Sequence, residues 1–377
     1  MAGRLLTADG WPYLFAPLIP LAVALELAEA SSTLVFFVAA AAIIPTAALM
    51  GRATEELAAR SGPGVGGLLN VTFGNAPELI IALFALERGL HEVVKASIIG
   101  SILGNVLLVL GASMLAGGLA FDRRAEAGQG AQRQQRFSHT AANAQSTMLF
   151  LAAVAMVMPA IFQLVHGGGL PPVSAERIDF GSTVEQLSLA VAIVLLLSYA
   201  GGLLFSLHTH RALFNPEYGE EESAGWTVRR SVLVLAAAGL LVGLMSEILV
   251  GSITEASESV GMSEFFIGAI VVAIVGNAAE HWVAVLVAVK DKMDLAVNIA
   301  IGSAAQVALF VAPVLVLSSF ALGPGPMPLV FNGFEVGAVV LAILIANQVT
   351  AEGESNWFEG LQLLAVYAVM ALAFGFA

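Results

Sequence analysis

Apolar stretches long enough to cross a bilayer follow one another through almost the whole of this 377-residue chain. Eleven are read, at about 11–28, 32–50, 65–87, 93–120, 143–166, 183–207, 229–251, 264–289, 294–320, 331–350 and 357–376. A helix needs about 20 apolar residues to cross the hydrocarbon core. There every backbone polar group must be satisfied without water, which leaves only helices and closed barrels. The short alternating strands of a barrel are absent. Charged residues are 11% of the chain, against about 25% in a soluble domain. The expected fold class is an all-α polytopic membrane protein with about eleven transmembrane helices. The first stretch is the weakest, with Pro12, Pro17 and Pro20 and an Ala28-Glu29-Ala30 string like a signal-peptide cleavage site. Arg4 is the only basic residue ahead of it, so it is read as a helix rather than a leader.

Basic residues orient the segments. With the N-terminus in the cytoplasm, the inside segments carry Arg4, Arg52, Arg60, Arg123, Arg124, Arg133, Arg136, Arg211, Arg229, Arg230, Lys290 and Lys292, and the outside segments carry Arg88, Lys95 and Arg177. Twelve of 15 inside is a strong positive-inside bias and puts the C-terminus on the opposite side. An integral protein of a prokaryotic plasma (inner) membrane is expected. The net charge of −13 comes mostly from acids in loops and inside apolar stretches, and does not suggest nucleic-acid binding. With no cysteine in the chain, disulfides and thiolate metal sites are excluded.

Two strings inside apolar stretches resemble each other: Gly74-Asn75-Ala76-Pro77-Glu78 and Gly276-Asn277-Ala278-Ala279-Glu280, 202 residues apart. Gly100-Ser101 falls on Gly302-Ser303 at the same offset, and Thr54-Glu55 on Thr254-Glu255 at an offset of 200. This pattern reads as a duplication. The expected units are an extra N-terminal helix at 1–30, a first repeat at 31–208 (segments 2–6), an acidic cytoplasmic linker at 209–228 and a second repeat at 229–377 (segments 7–11). Five crossings per repeat is an odd number, so the two repeats are inverted, an architecture of transporters that bind at the midplane. The linker string Asn215-Pro216-Glu217-Tyr218-Gly219-Glu220-Glu221-Glu222 is either a solvated connection or a cation-gathering segment. The loop at about 121–142, with Gln129, Gln132, Gln134 and Gln135, reads as a polar connector.

A glutamate at the centre of a membrane helix costs about 2.5–3.5 kcal/mol on insertion scales, and such residues are functional by default. Asn75 and Glu78 stand three apart, as do Asn277 and Glu280, so each pair shares a helix face. Carboxylate plus amide oxygen is hard-cation chemistry; Ca2+ takes about 6–8 oxygens. Pro77 frees a carbonyl near Phe73, and Gly74 and Gly276 loosen the matching point. Segment 4 adds Ser101 and Asn105; segment 9 adds Ser303 and Gln306. These polar groups serve either the cation or helix-to-helix hydrogen bonding. His281 follows Glu280 directly and therefore does not share its face; it gates the carboxylate or packs as a neutral ring. Glu55 and Glu255, at helix ends on opposite sides, guard the two entrances or are simply interfacial. Glu247, whose repeat counterpart is Ala47, is a secondary candidate for proton coupling or gating. No H-E-x-x-H and no G-x-x-x-x-G-K-[ST] is present, so neither a zinc protease nor a P-loop ATPase is expected. No enzyme activity and no cofactor are expected.

At these residues the chain resembles the Ca2+/cation antiporter superfamily. Asn277-Ala278-Ala279-Glu280-His281 resembles its cation/proton exchanger (CAX) branch. So do Gly51-Arg52-Ala53-Thr54-Glu55-Glu56, Ser263-Glu264-Phe265-Phe266-Ile267-Gly268 and Ser355-Asn356-Trp357-Phe358-Glu359-Gly360. The likeness covers about residues 11–376. It implies an eleven-helix fold, an acidic segment between helices 6 and 7, and exchange of Ca2+ against H+. The family's cation ligands map onto Glu78 and Glu280, with Asn277, Ser101, Ser303 and Gln306 nearby. Gly104-Asn105 departs from the serine expected before the asparagine. Charge cost alone suggests the coupling, because two glutamates held close do not both stay charged without a cation between them. Exchange of Na+ for Ca2+, transport of another monovalent cation or Mn2+, a cation channel and a membrane cation sensor are the alternatives. Ca2+ and H+ are the expected substrates and the lipid bilayer the expected surroundings.

Overall fold

The computed structural model describes residues 10–126, 134–173, 181–209 and 225–377. Every apolar stretch is helical. Helix α1 (Leu18–Leu27) follows a 3-10 turn at Trp11–Phe15, and α2 is Ser32–Ala58. Helix α3 has two limbs, Gly62–Gly74 and Ala76–Glu87. Then come α4 (His91–Asp122), α5 (His139–Val165), α6 (Ser182–Thr209), α7 (Val228–Val260), α8 (Glu264–Val289), α9 (Met293–Ser319), α10 (Gly333–Thr350) and α11 (Trp357–Phe376). Two-residue strands β1 (Gln135–Arg136) and β2 (Glu354–Ser355) pair antiparallel.

Among the described residues nine helices are long and apolar enough to cross a membrane, and α3 makes a tenth when its limbs count as one span. The apolar helix at Trp11–Leu27 is shorter than these; Pro12 and Pro17 each lack the N–H that would carry an earlier turn through. Contacts between distant loops bear on how α3 counts. The Trp226 backbone N–H donates to Glu56 at 2.9 Å, and its ring lies under the Arg52 and Arg230 guanidinium groups, 5.4 and 4.4 Å from their carbons. These residues therefore share a face of the membrane, and only α3–α6 lie between them. Counted as one bent span, α3 gives an even number of helices between these two loops. β1 and β2, joined by an Arg136–Glu354 ion pair at 3.1 Å, likewise bring together the start of α5 and the end of α10. Ser32 and Thr33, at the start of α2, bond to Glu255 and Ser259 at the end of α7, on the face opposite Trp226. We call the side carrying Arg52, Arg136, Arg230 and Lys292 the basic face.

Helix ends follow ordinary capping chemistry. Ser138, Thr227 and Ser263 accept a backbone N–H in the first turns of α5, α7 and α8. Asn332 and Asn356 form capping boxes with Glu335 and Glu359. Helix α7 stops at Gly261, whose φ of +69° suits glycine.

Two close approaches lock the centre. A Cβ at Gly100 of α4 would lie 1.9 Å from the Ala269 carbonyl oxygen of α8, and one at Gly268 would lie 2.7 Å from the Val93 carbonyl oxygen. Only glycine lets these backbones touch. Helices α4 and α9 each contain a π turn, at Gly104–Val109 and Val307–Val311, just after Ser101 and Ser303. Such turns concentrate at functional sites. In the 121–142 loop, Gln135 is not a bland connector: it is buried in β1, with its Nε2 3.6 Å from the Met293 sulfur. Gln129, Gln132 and the acidic string 215–222 lie outside the described residues.

Gly100→Ala is expected to lower stability by about 1–3 kcal/mol, the cost of overpacking. Gly337→Ala, where a Cβ meets nothing within 4 Å, is expected to change little. Thermal unfolding of the detergent-solubilised variants checks both.

Candidate cation site

The limbs of α3 meet at a 43° bend, at Asn75 with φ −94° and ψ 10°. Pro77 sits in the first turn of the second limb, where its missing N–H would be unpaired anyway. In the other motif Ala279 keeps its N–H, and α8 runs unbroken from Ala273 to Val289 through Gly276 and Glu280. The sequence difference between Pro77 and Ala279 thus becomes a broken helix against a continuous one. The two helices meet closely: a Cβ at Gly276 would lie 3.6 Å from Glu78 Cα and Cβ.

Eight side chains from four helices form two neighbouring hydrogen-bonded clusters at this crossing, Glu78, Ser101 and Asn277 in one and Asn75, Asn105, Glu280, Ser303 and Gln306 in the other. Asn277 Nδ2 lies 3.0 Å from Ser101 Oγ, 3.4 Å from Glu78 Oε2 and 3.0 Å from the Ala273 carbonyl oxygen. Asn75 Nδ2 donates to Gln306 Oε1 at 2.7 Å. Ser303 Oγ lies 3.2 Å from both Asn75 Oδ1 and Glu280 Oε2, and accepts from Asn105 Nδ2 at 3.3 Å. Its single proton serves one of the two oxygens at a time. Asn75, Glu78, Ser101, Asn105, Asn277 and Ser303 are buried, while Glu280 and Gln306 are half-buried. All eight ligand candidates named from the sequence therefore come together. The bond from Asn277 to Ser101 and that between Asn75 and Ser303 connect positions related by the 202-residue offset.

Three buried atoms at the site have no hydrogen-bond partner: Glu78 Oε1, Asn105 Oδ1 and His281 Nε2. A buried acceptor without a partner is costly, and two of these three are oxygens of the kind a hard cation takes. Among the described residues no cluster of three or more His, Cys, Asp or Glu side chains is placed to hold a metal. The site is instead two carboxylates within a collar of amides and hydroxyls. Two negative charges match one divalent ion, and neutral oxygens complete the shell without adding charge that would hold it too tightly.

The other candidates lie apart from these clusters. His281 points its Cε1 toward Gly104, 3.8 Å from where a Cβ would stand, at the π turn of α4. Glu55 is exposed near the basic-face end of α2, and Glu255 is exposed at the other face, where Ser32 donates to it. Glu247 is exposed on α7, between Gly243, which faces Phe84, and Gly251, which faces the Arg88 guanidinium.

One buried polar group escaped the sequence reading. Lys95, counted there as a loop charge, is buried in α4 with its Nζ 2.5 Å from Glu92 Oε1 and 3.1 Å from the Val330 carbonyl oxygen. Glu335 of α10, also fully buried, caps its own helix nearby. The i, i+3 spacing of Glu92 and Lys95 was the available signal.

The sodium/calcium exchanger protein family matches this chain over residues 31–208 and 230–376. The chain is 44% identical over 376 residues to the Ca2+/H+ antiporter of Synechocystis sp., covering 95% of each. It is 44% identical over 360 residues to the Ca2+/H+ antiporter ChaA of Bacillus subtilis, covering 94% of this chain and 96% of that one. The solved structure of native YfkE superposes with a TM-score of 0.79 at 40% identity, covering 97% of this chain and all of that one.

Asn277→Ala removes the amide that ties Glu78 to Ser101. It is expected to weaken divalent-cation binding about 10–100-fold, as loss of a ligand-orienting partner does, while the fold is kept. Isothermal titration of the purified protein with Ca2+ measures this.

Proposed function

The chain belongs to the sodium/calcium exchanger protein family, and from that premise we propose that it exchanges Ca2+ for H+ across the membrane. It is a transporter and not an enzyme. The observation that carries the reading is that Glu78 and Glu280, one from each motif, stand at one helix crossing, each in a cluster of amide and hydroxyl groups drawn from both motifs' helices and from α4 or α9. Two relatives 44% identical to this chain are named Ca2+/H+ antiporters, which favours H+ over Na+ as the counter-ion.

In this mechanism Glu78 and Glu280 bind Ca2+ directly, and Asn75, Asn277, Ser101, Ser303, Asn105 and Gln306 orient them or complete the shell. A divalent ion holds both carboxylates deprotonated. Without it, two bare charges in a low-dielectric interior repel each other and lack solvation, and protons take its place. A site that rearranges only when nearly neutral carries Ca2+ one way and protons the other, and does not return empty. The inverted repeats at 31–208 and 229–377, with 1–30 as an extra helix and 209–228 as a linker, supply the two halves that rock about the site.

The test is Ca2+ uptake into proteoliposomes under an imposed pH gradient. Glu78→Gln and Glu280→Gln are each expected to abolish exchange; near-normal uptake by either sinks the mechanism. Uptake driven by a Na+ gradient at clamped pH would replace H+ with Na+, and flux without proton counterflow would mark a cation channel.

Competition at the site also fixes a sign. Protons displace Ca2+, so apparent Ca2+ affinity should fall as pH falls. Where both carboxylates take up a proton, the fall is about a hundredfold per pH unit, and about tenfold where only one does, by linkage. Ca2+ titrations across a pH series read the slope, and a slope of zero contradicts shared occupancy.

A further inference from the structure

We infer that the face of α9 carrying Asp294, Asn298 and Gly302 lines the ion route between the cation site and the basic face of the membrane. The inference rests on the reading of cation transport at Glu78 and Glu280 and adds the path by which the ion arrives.

Asp294, Asn298, Gly302 and Gln306 follow one another at intervals of four along α9, a spacing that keeps neighbours on one side of the helix. At 1.5 Å per residue, Asp294 and Gln306 are about 18 Å apart. Half of the hydrocarbon core is about 15 Å, so the row covers the whole depth from the site to the surface. Its inner end is fixed by Gln306, which accepts from Asn75. Its outer end is the exposed Asp294, which accepts from the Ser138 backbone N–H at 2.5 Å.

Exposure follows the row. Asp294 is exposed, and Asn298, Gly302 and Gln306 are half-buried, whereas Val297, Ala300, Ile301 and Ala304 on the other sides of α9 are buried. Gln145 of α5 donates to Asn298 Oδ1, and a Cβ at Gly302 would stand 3.4 Å from both the Asn298 oxygen and the Gln145 nitrogen. Glycine leaves space beside the two amides. A carboxylate at the mouth, amide groups at mid-depth and Gln306 at the site give a shedding cation successive oxygen partners.

The related face of α4 behaves oppositely. At the offset of 202 it reads Glu92, Ala96, Gly100 and Gly104, and all four are buried. The backbone of α8 closes it: the Ala269 carbonyl oxygen lies 1.9 Å from a Cβ at Gly100, and a Cβ at Gly268 would lie 3.0 Å from Ala96 Cβ. Of two positions related by the 202-residue offset, Gly100 is closed off by the α8 backbone, whereas the nearest atoms to Gly302 are side-chain amide atoms.

The absence of cysteine from the sequence allows a direct test. Single variants Asn298→Cys, Gly302→Cys, Ala300→Cys and Ala96→Cys are reconstituted in vesicles of known orientation. They are then treated from either side with a membrane-impermeant methanethiosulfonate. Access controls such thiol chemistry, so positions 298 and 302 should react about tenfold or more faster from the basic face than from the other, and faster than 300 or 96. Equal rates at 298 and 300, or faster reaction from the opposite face, overturn the assignment. Should Gly302→Cys fail to fold, Asn298→Cys carries the comparison alone. Labelling is read without transport, so a chain that labels in this way but moves no Ca2+ refutes the transport reading and not the route.

Discussion

Placing two carboxylates together in the low-dielectric centre of a helical bundle is the constraint on which the rest of the molecule turns. Water cannot reach them freely, so protein groups must replace it. Asn277 and Ser101 do this for Glu78, and Ser303 for Glu280. Those partners come from α8, α4 and α9, and can meet only if the helices cross closely. Gly276 permits the crossing at the site, and Gly100 and Gly268 permit the neighbouring one. A demand that begins as solvation of charge therefore ends as a rule about where side chains must be missing.

The two motifs meet that demand differently. Pro77 lets α3 break and turn by 43° at Asn75, freeing the Asn75 side chain to reach Gln306 and Ser303 on α9. Asn277 stays within a continuous helix and bonds to its own backbone at Ala273 as well as across to Ser101. One motif thus sits at a bent joint, the other within a continuous helix. The two strings differ at a single position, Pro77 against Ala279, and that position stands at the bend.

Much of this was legible before any coordinates. The apolar stretches marked every helix, and the eight ligand candidates were visible because a polar residue in a long apolar run stands out. The bend in α3 could be suspected from Pro77, but its angle is set by packing. The cluster of Lys95, Glu92 and Glu335 was not legible, because Lys95 sits close enough to a predicted loop to pass as an interfacial charge. Nor was the row on α9. Asn298 and Gln145 look alike in sequence whether they face each other, a neighbouring helix or water, and Gly302 shows its purpose only once its surroundings are known. The π turns left no signature, since one extra residue per turn does not show in a run that is apolar on nearly every side.

Those π turns have a historical consequence. They end at Val109 and Val311, at the same place relative to Ser101 and Ser303. A local irregularity that both halves share is older, under the proposed duplication, than the event that doubled them. On that proposal a single half would have carried one glutamate, one serine and a distorted helix, too few oxygens to enclose a hard cation without a second such half facing it.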